Sequence, residues 1–374
     1  MLVLLSEGSF TATYKYGLML ALIDLAVEGT AEGRPPTSVT TRQIAERLLA
    51  LYWPHARPYP RWPEGASADG RAELQQNRGV QAGIVRAISD LQARLSRPCP
   101  TPEAARRADP AAYEVARFEV EWLAASQPIP RLQLIAGRVQ PFLYRIAWTV
   151  EQSSGKRIEP DLPLIRRGAL RRGAFDNRLV FVQGVPDQLV ALAAVLRPLI
   201  QRQWSDSVAR LNGLPERHLE AFLFGPERVD LAPVRGPLLD LQLHRCFYCG
   251  ARVRAEDAHV DHFLPWSRVP LDDLGNLVAA DSACNESKRD FLVGGALVER
   301  WAARPAGALE ALARGADWDY VAGRSRAAAS VLYRQLSPGV PLWRARGRFG
   351  DLESGEHQDI LAALRAPRPP DQTS

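Results

Sequence analysis

At 374 residues, with 46% hydrophobic and 24% charged side chains, the chain has room for two or three domains with sizeable cores. That excludes a single small module and a wholly disordered polymer. A net charge of +5 favours an anionic partner, and four cysteines are too few and too clustered for a disulfide framework. The first residues lack a basic leader region and soon reach Glu7, and the most apolar stretch, 17–27, contains Asp24 and is far shorter than a membrane span. A soluble, cytoplasmic protein is expected.

Residues 10–29 read as an amphipathic helix with a stripe of Tyr16, Leu18, Leu20, Ile23 and Ala26. A Gly-, Pro- and Thr-bearing loop follows. A second helix is expected to start near Thr40 and Thr41, where Thr40 and Gln43 have the spacing of a capping box. Together these give the start of the chain a helix-turn-helix-like look. Residues 53–63 form a proline-fixed loop whose Trp53, Tyr59 and Trp62 either stack on bases or tie the loop down. Residues 80–97 and 102–126 read as helices separated by prolines. From residue 130 the pattern changes to short strands, at 142–149 and 178–183. Between them Arg166, Arg167, Arg171 and Arg172 make a basic loop, a candidate phosphate contact. A long helix is expected at 186–212, one or two more at 216–243, and a disordered tail at 366–374.

The chemistry is concentrated in residues 246–290. Cys246 and Cys249 have the Cys-x-x-Cys spacing that presents two thiolates to one ion, and Cys284 adds a third. The fourth ligand should sit three residues before Cys284, where Asp281 stands. Asp281 is a reasonable zinc ligand, but a carboxylate there is equally suited to cap the following helix, in which case His244 or His259 would complete the tetrahedron. A structural zinc site contributes on the order of 10–16 kcal/mol to folding a small module. Interleaved with these soft ligands are Asp261, His262, Asn276 and Asn285, oxygen- and imidazole-bearing groups of which the Asp and Asn oxygens suit Mg²⁺ or Mn²⁺. The expected local fold is a strand at 259–264, a second at 276–280 and a helix at 282–292. Adjacent Asp261 and His262 would point to opposite sides of an ideal strand.

The string Val260-Asp261-His262, Pro265, Asn276, then Cys284-Asn285 and Lys288 with Asp290, resembles the HNH, or ββα-metal, nucleases of zinc-knuckle type. The resemblance covers about 50 residues and leaves the rest unassigned. With the elements read above, which supply everything outside 236–300, it completes an α+β chain: a helical N-terminal domain (1–130, helix-turn-helix-like), a small mixed α/β middle (131–235), the ββα-metal HNH module (236–300) with its structural zinc, and a basic helical tail (301–374). It also implies that Asp261 and Asn285 ligate the catalytic divalent metal and that His262 is the general base. Asn276 would fix the loop between the strands, and Lys288 would contact phosphate or the transition state. The implied reaction is phosphodiester hydrolysis giving 5′-phosphate and 3′-hydroxyl ends.

Residues 293–350 carry nine arginines against four acids. Arg324, Arg326, Arg344, Arg346 and Arg348 are therefore expected to hold phosphates. DNA is the expected substrate, with RNA as the other polymer, and bacterial restriction or anti-phage defence the expected setting, alone, as a homodimer or with a partner protein. A mobile-element endonuclease and a non-catalytic zinc-binding regulator are the alternatives.

Overall fold

The computed structural model describes residues 12–30, 35–60, 73–135, 137–214, 219–225, 230–269 and 271–365. The 366–374 tail, His218 and Trp62 lie outside them. Contacts divide the chain into two units, residues 1–26 with 35–229 and residues 27–34 with 230–374. Each combines helices with small antiparallel sheets, an α+β construction. No helix among the described residues is long and apolar enough to cross a membrane.

From residue 14 to residue 224 the order is α1 (Tyr14–Gly29), β1 (Ser38–Thr40), α2 (Thr41–Tyr52), α3 (Gly83–Arg94), α4 (Pro102–Ala108), α5 (Pro110–Ser126), α6 (Pro128–Arg131), β2 (Leu134–Ile135), β3 (Arg138–Val139), β4 (Tyr144–Arg145), α7 (Arg167–Arg171), β5 (Arg178–Phe181), α8 (Val185–Asn212) and α9 (Leu219–Phe224). Helix α1 departs from the expected amphipathic stripe. Leu18, Met19, Leu20, Ala21, Leu22 and Ile23 are all fully buried, so the helix is wrapped on every side. Its buried acid, Asp24, pairs inside the core with Arg197 of α8. The capping box is present: Gln43 N donates to Thr40 Oγ1, and the Gln43 side chain returns to the Thr40 amide at 2.9 Å. Strand β1 intervenes between α1 and α2 and pairs with β5, in a sheet of order β1-β5-β4. No tight turn therefore joins those two helices.

Two local expectations are corrected, the helix at 102–126 and the place of His55, and for the aromatic loop the tied-down alternative holds. The helix expected at 102–126 is broken at Asp109, whose side chain accepts from Ala112 N at 2.9 Å and starts α5 with Pro110 behind it. The aromatic loop is tied down: Trp53 Nε1 donates to the Cys99 carbonyl at 3.1 Å, and Tyr59 packs edge-on against Phe222. His55, expected at the surface, is fully buried between Tyr52, Trp204 and Phe224. In the basic loop Arg167 pairs with Glu119, and Arg167 and Arg171 both lie over Phe118. Arg166 and Arg172 remain exposed.

The second unit contains α10 (Ala232–Leu241), β6 (Ala258–His262), β7 (Leu277–Asp281), α11 (Ser282–Lys288), α12 (Gly295–Ala302), α13 (Ala306–Ala316), α14 (Arg324–Arg334), β8 (Pro341–Ala345), β9 (Arg348–Asp351) and α15 (Ser354–Leu364). Strands β6 and β7 pair antiparallel with Asp261 opposite Val278 and His262 opposite Leu277, and α11 follows without a loop. That is the anticipated ββα order. Helix α11 stops at Lys288 rather than 292, because Arg289 takes a positive φ of 46°. Beyond residue 301 the chain is not helical throughout. The β8–β9 hairpin returns to α11: Trp343 N donates to the Leu292 carbonyl at 2.8 Å, and Trp343 Nε1 and Gly347 N both reach Ser287 Oγ.

Candidate metal centre and active site

The Cys246–Cys249 turn follows α10 after residues 242–245 and is locked by local backbone bonds. Cys246 N donates to the Ala251 carbonyl at 2.9 Å and Gly250 N to the Cys246 carbonyl at 3.0 Å, with Gly250 at a φ of 75° that favours glycine. Phe247 N donates to the Ala279 carbonyl of β7, which sets the turn against the middle of that strand. Cys246, Cys249, Asp281 and Cys284 then meet, one ligand atom from each lying within 4.8 Å of the others. A tetrahedral zinc ion with bonds of about 2.3 Å holds sulfurs roughly 3.8 Å apart, so a small closure suffices. Neither His244 nor His259 belongs to this group.

Asp281 does both things that competed for it. Its Oδ1 accepts the Cys284 amide at 2.7 Å and caps α11, while its Oδ2 lies 3.1 Å from Cys249 Sγ. Burial opposes its charge, but the bonds from Cys246, the Cys284 amide and Cys249 hold its carboxyl well below the usual range. Burial and the same carboxylate push the Cys246 thiol up to about 11 and Cys284 higher still. Two reluctant thiols, Cys246 and Cys284, together with Cys249 and one carboxylate form a donor set that a divalent cation satisfies by displacing thiol protons.

The second set of residues is built on β6 and α11. Asp261 and His262 do diverge. Asp261 Oδ2 accepts the Tyr248 hydroxyl at 2.5 Å and pairs with Lys288 Nζ at 2.9 Å. Its Oδ1 carries no hydrogen bond among the described residues. Burial, and then the Asp261 charge, raise Tyr248 well above the ordinary phenol range, so it remains a donor. Lys288 is fully buried and also donates to the His262 carbonyl at 2.8 Å. It grips the strand from beneath, in contrast to the phosphate contact its position in the motif implies. Asn285 stands one helical turn before Lys288 on the same face of α11, with its side chain partly exposed.

His262 turns the other way. Its Nε2 lies 2.8 Å from Asp272 Oδ1, and its ring packs near Trp266. Asn276, wholly buried, staples the loop between the strands: Oδ1 accepts Leu264 N, and Nδ2 donates to the Leu264 and Leu271 carbonyls. Asp273 accepts from Gly275 N, Val321 N and Ser325 Oγ, and burial followed by the Asp319 charge raises it to about 6. Arg304, whose guanidinium burial lowers to about 10, donates to the Leu277 carbonyl and also to that of Gly275.

Of the five arginines expected to hold phosphates, three have structural partners. Arg344 forms a two-pronged pair with Glu356, Arg324 pairs with Asp319 at 2.8 Å, and Arg326 donates to the Ala302 carbonyl. Arg346 and Arg348 are exposed at the β8–β9 turn, which the Ser287 contacts set beside α11. Sequence reading missed Tyr248, Asp272 and Trp318, whose Nε1 donates to the Asp272 carbonyl at 2.7 Å. The tyrosine lay in plain view inside the Cys-x-x-Cys turn. The other two have no spacing rule to announce them.

A family model described as HNH endonuclease matches residues 246–292. No curated protein matches the chain, and no solved structure does.

Proposed function

Residues 246–292 belong to the HNH endonuclease family, which makes the chain a nuclease, and we propose that it hydrolyses phosphodiester bonds in DNA with His262 as the base. The observation that carries this reading is the double fixation of Asp261 by Tyr248 and Lys288. It leaves Oδ1 without a hydrogen bond among the described residues, and Asn285 lies one turn before Lys288 on α11. A hard divalent cation fits there: one carboxylate oxygen and one amide oxygen are the donors Mg²⁺ or Mn²⁺ takes, with water filling the remaining positions. When bound, such an ion would neutralise charge on the scissile phosphate and the leaving oxygen.

His262 accepts a proton from water as the oxygen attacks phosphorus in line with the departing 3′-oxygen, which gives 5′-phosphate and 3′-hydroxyl products. Asn276 holds the loop that shapes this edge of the site. Lys288 acts on Asp261 and the His262 carbonyl rather than on phosphate. Arg346 and Arg348 supply the sequence-independent grip on the backbone.

The Cys246, Cys249, Asp281 and Cys284 group holds Zn²⁺ as a scaffold. Soft sulfur ligands in a closed tetrahedron are the structural pattern, whereas a reacting metal keeps an open position. One such site cuts one strand at a time, so a monomer nicks duplex DNA and a pair of molecules, or a partner protein, is required for a double-strand break. The setting we infer is restriction or anti-phage defence. Incubating supercoiled plasmid with the purified protein and Mg²⁺ tests the activity, and His262→Ala tests the assignment. Equal cutting by the two proteins would remove His262 from the reaction.

A further inference from the structure

We infer that Asp272 is the residue that positions the base, so that the reacting centre is a His262–Asp272 pair with its free nitrogen at Nδ1. The inference rests on the nuclease reading above and deepens it.

The first argument is the contact itself. Asp272 Oδ1 lies 2.8 Å from His262 Nε2, and the side chains of the pair are only 8% and 19% exposed. An ionised carboxylate only accepts hydrogen bonds, so the imidazole hydrogen sits on Nε2. A neutral ring protonated at Nε2 has its lone pair on Nδ1, and that atom is then the acceptor for the water proton. A histidine without such a partner divides its population between two tautomers and several ring orientations, and only a fraction is competent.

The second argument is that the carboxylate is held, not merely near. The Asp272 carbonyl accepts Trp318 Nε1 at 2.7 Å, and Trp318 is 1% exposed. On one side the Leu271 carbonyl accepts Asn276 Nδ2 at 3.0 Å. On the other, Asp273 is fixed by Val321 N and Ser325 Oγ, both at 2.7 Å. The backbone on both sides of Asp272 is thus pinned by buried groups. Trp318, Val321 and Ser325 lie beyond the matched segment 246–292, so residues 318–325 are required for the base to be aimed. A rigid supporting shell of this kind keeps a catalytic group in its productive geometry.

The proton balance is simple. The water O–H bond breaks, its electron pair stays on the oxygen that attacks phosphorus, and the proton forms a bond to Nδ1. The resulting imidazolium carries protons on both nitrogens and faces the Asp272 carboxylate, which stays ionised and stabilises it. The ring later releases the Nδ1 proton to solvent. Asp272 acts through His262 and touches no reacting atom, so it is a positioning residue.

The test compares the full-length, metal-loaded wild type with Asp272→Asn, Asp272→Ala, Asp272→Glu and Trp318→Phe. Two readouts are taken: nicking kinetics on plasmid, and long-range ¹H–¹⁵N correlation spectra of ¹⁵N-histidine-labelled protein, with the His262 signals assigned by their loss in His262→Ala. We expect the wild-type His262 hydrogen on Nε2. In Asp272→Ala we expect a mixed population, and a fall in kcat of roughly 10²-fold with KM within about threefold, the scale of a lost base orientation. Asp272→Glu should recover part of kcat, and Trp318→Phe should give a smaller loss of the same kind. An unchanged tautomer in Asp272→Ala, or an unchanged kcat, would overturn the inference. A higher KM with an unaltered tautomer would do the same, because it reports a structural role alone. If the wild type failed to nick any substrate, the nuclease reading would fall, while the spectra would still decide the pairing.

Discussion

The Tyr248 hydroxyl donates to Asp261 Oδ2 at 2.5 Å, and Tyr248 sits between the two cysteines that open the candidate metal cluster. The cysteine cluster therefore reaches the Asp261 carboxylate through one side chain, and the turn that places Cys246 and Cys249 also orients Asp261.

Tyr248→Phe keeps the ring that packs against Trp343 and deletes only this bond. A hydrogen bond to a charged group is worth about 1.5–3 kcal/mol, so kcat should fall roughly 10- to 100-fold with zinc content unchanged. Nicking rates and metal analysis on the same preparation check it. A variant that keeps full activity would detach the scaffold from Asp261.

Asp281 divides its oxygens between helix cap and thiol cluster, so its variants should separate. Asp281→Asn retains a cap and should lose zinc more readily to a chelator. Asp281→Ala should lose zinc equally and give up about 1 kcal/mol more from the missing cap. Competitive chelation and thermal unfolding measure the two effects. Stripping zinc from the wild type should lower the melting temperature of the second unit far more than either substitution.

Lys288 is the buried cation between Asp261 and the His262 carbonyl. Lys288→Met leaves Asp261 without its counter-charge, and breaking a buried pair costs about 3–5 kcal/mol. We expect a large loss of stability in chemical denaturation. The salt slope of DNA binding by the surviving folded fraction should be unchanged, because Lys288 reaches no phosphate.

Charge reversal at Arg346 and Arg348 should do the opposite. Each phosphate contact contributes roughly 0.9 to the slope of log affinity against log salt. The double variant should flatten that slope by between one and two and leave melting unaltered. Arg344→Glu should disturb folding instead, since it breaks the Glu356 pair. Binding isotherms at several salt concentrations distinguish them.

The candidate site residues were legible because their chemistry is dense in sequence. Cys246, Cys249, Asp281 and Cys284 meet where their spacing said they would, and β6, β7 and α11 follow the alternation and cap signals around Asp261 and Asp281. What was illegible depends on distance along the chain. Nothing near Asp272 reveals that Trp318 fixes its carbonyl. The excess of arginine near 344 gave no sign that Glu356 would occupy Arg344. Lys288 fitted a phosphate contact by position alone, and only its burial beneath β6 reveals what it holds. In the first unit, α1 gave an apolar stripe without showing that all its faces would be covered.

The most direct measurement of the central claim is Mg²⁺-dependent nicking of supercoiled plasmid by zinc-loaded wild type beside His262→Ala, with both shown to be folded and equally loaded with zinc. The account predicts nicked circles ending in 5′-phosphate and 3′-hydroxyl for the wild type, and at least about a hundredfold slower cutting for the variant. Equal rates, or no cleavage of any nucleic acid by the wild type, would contradict it.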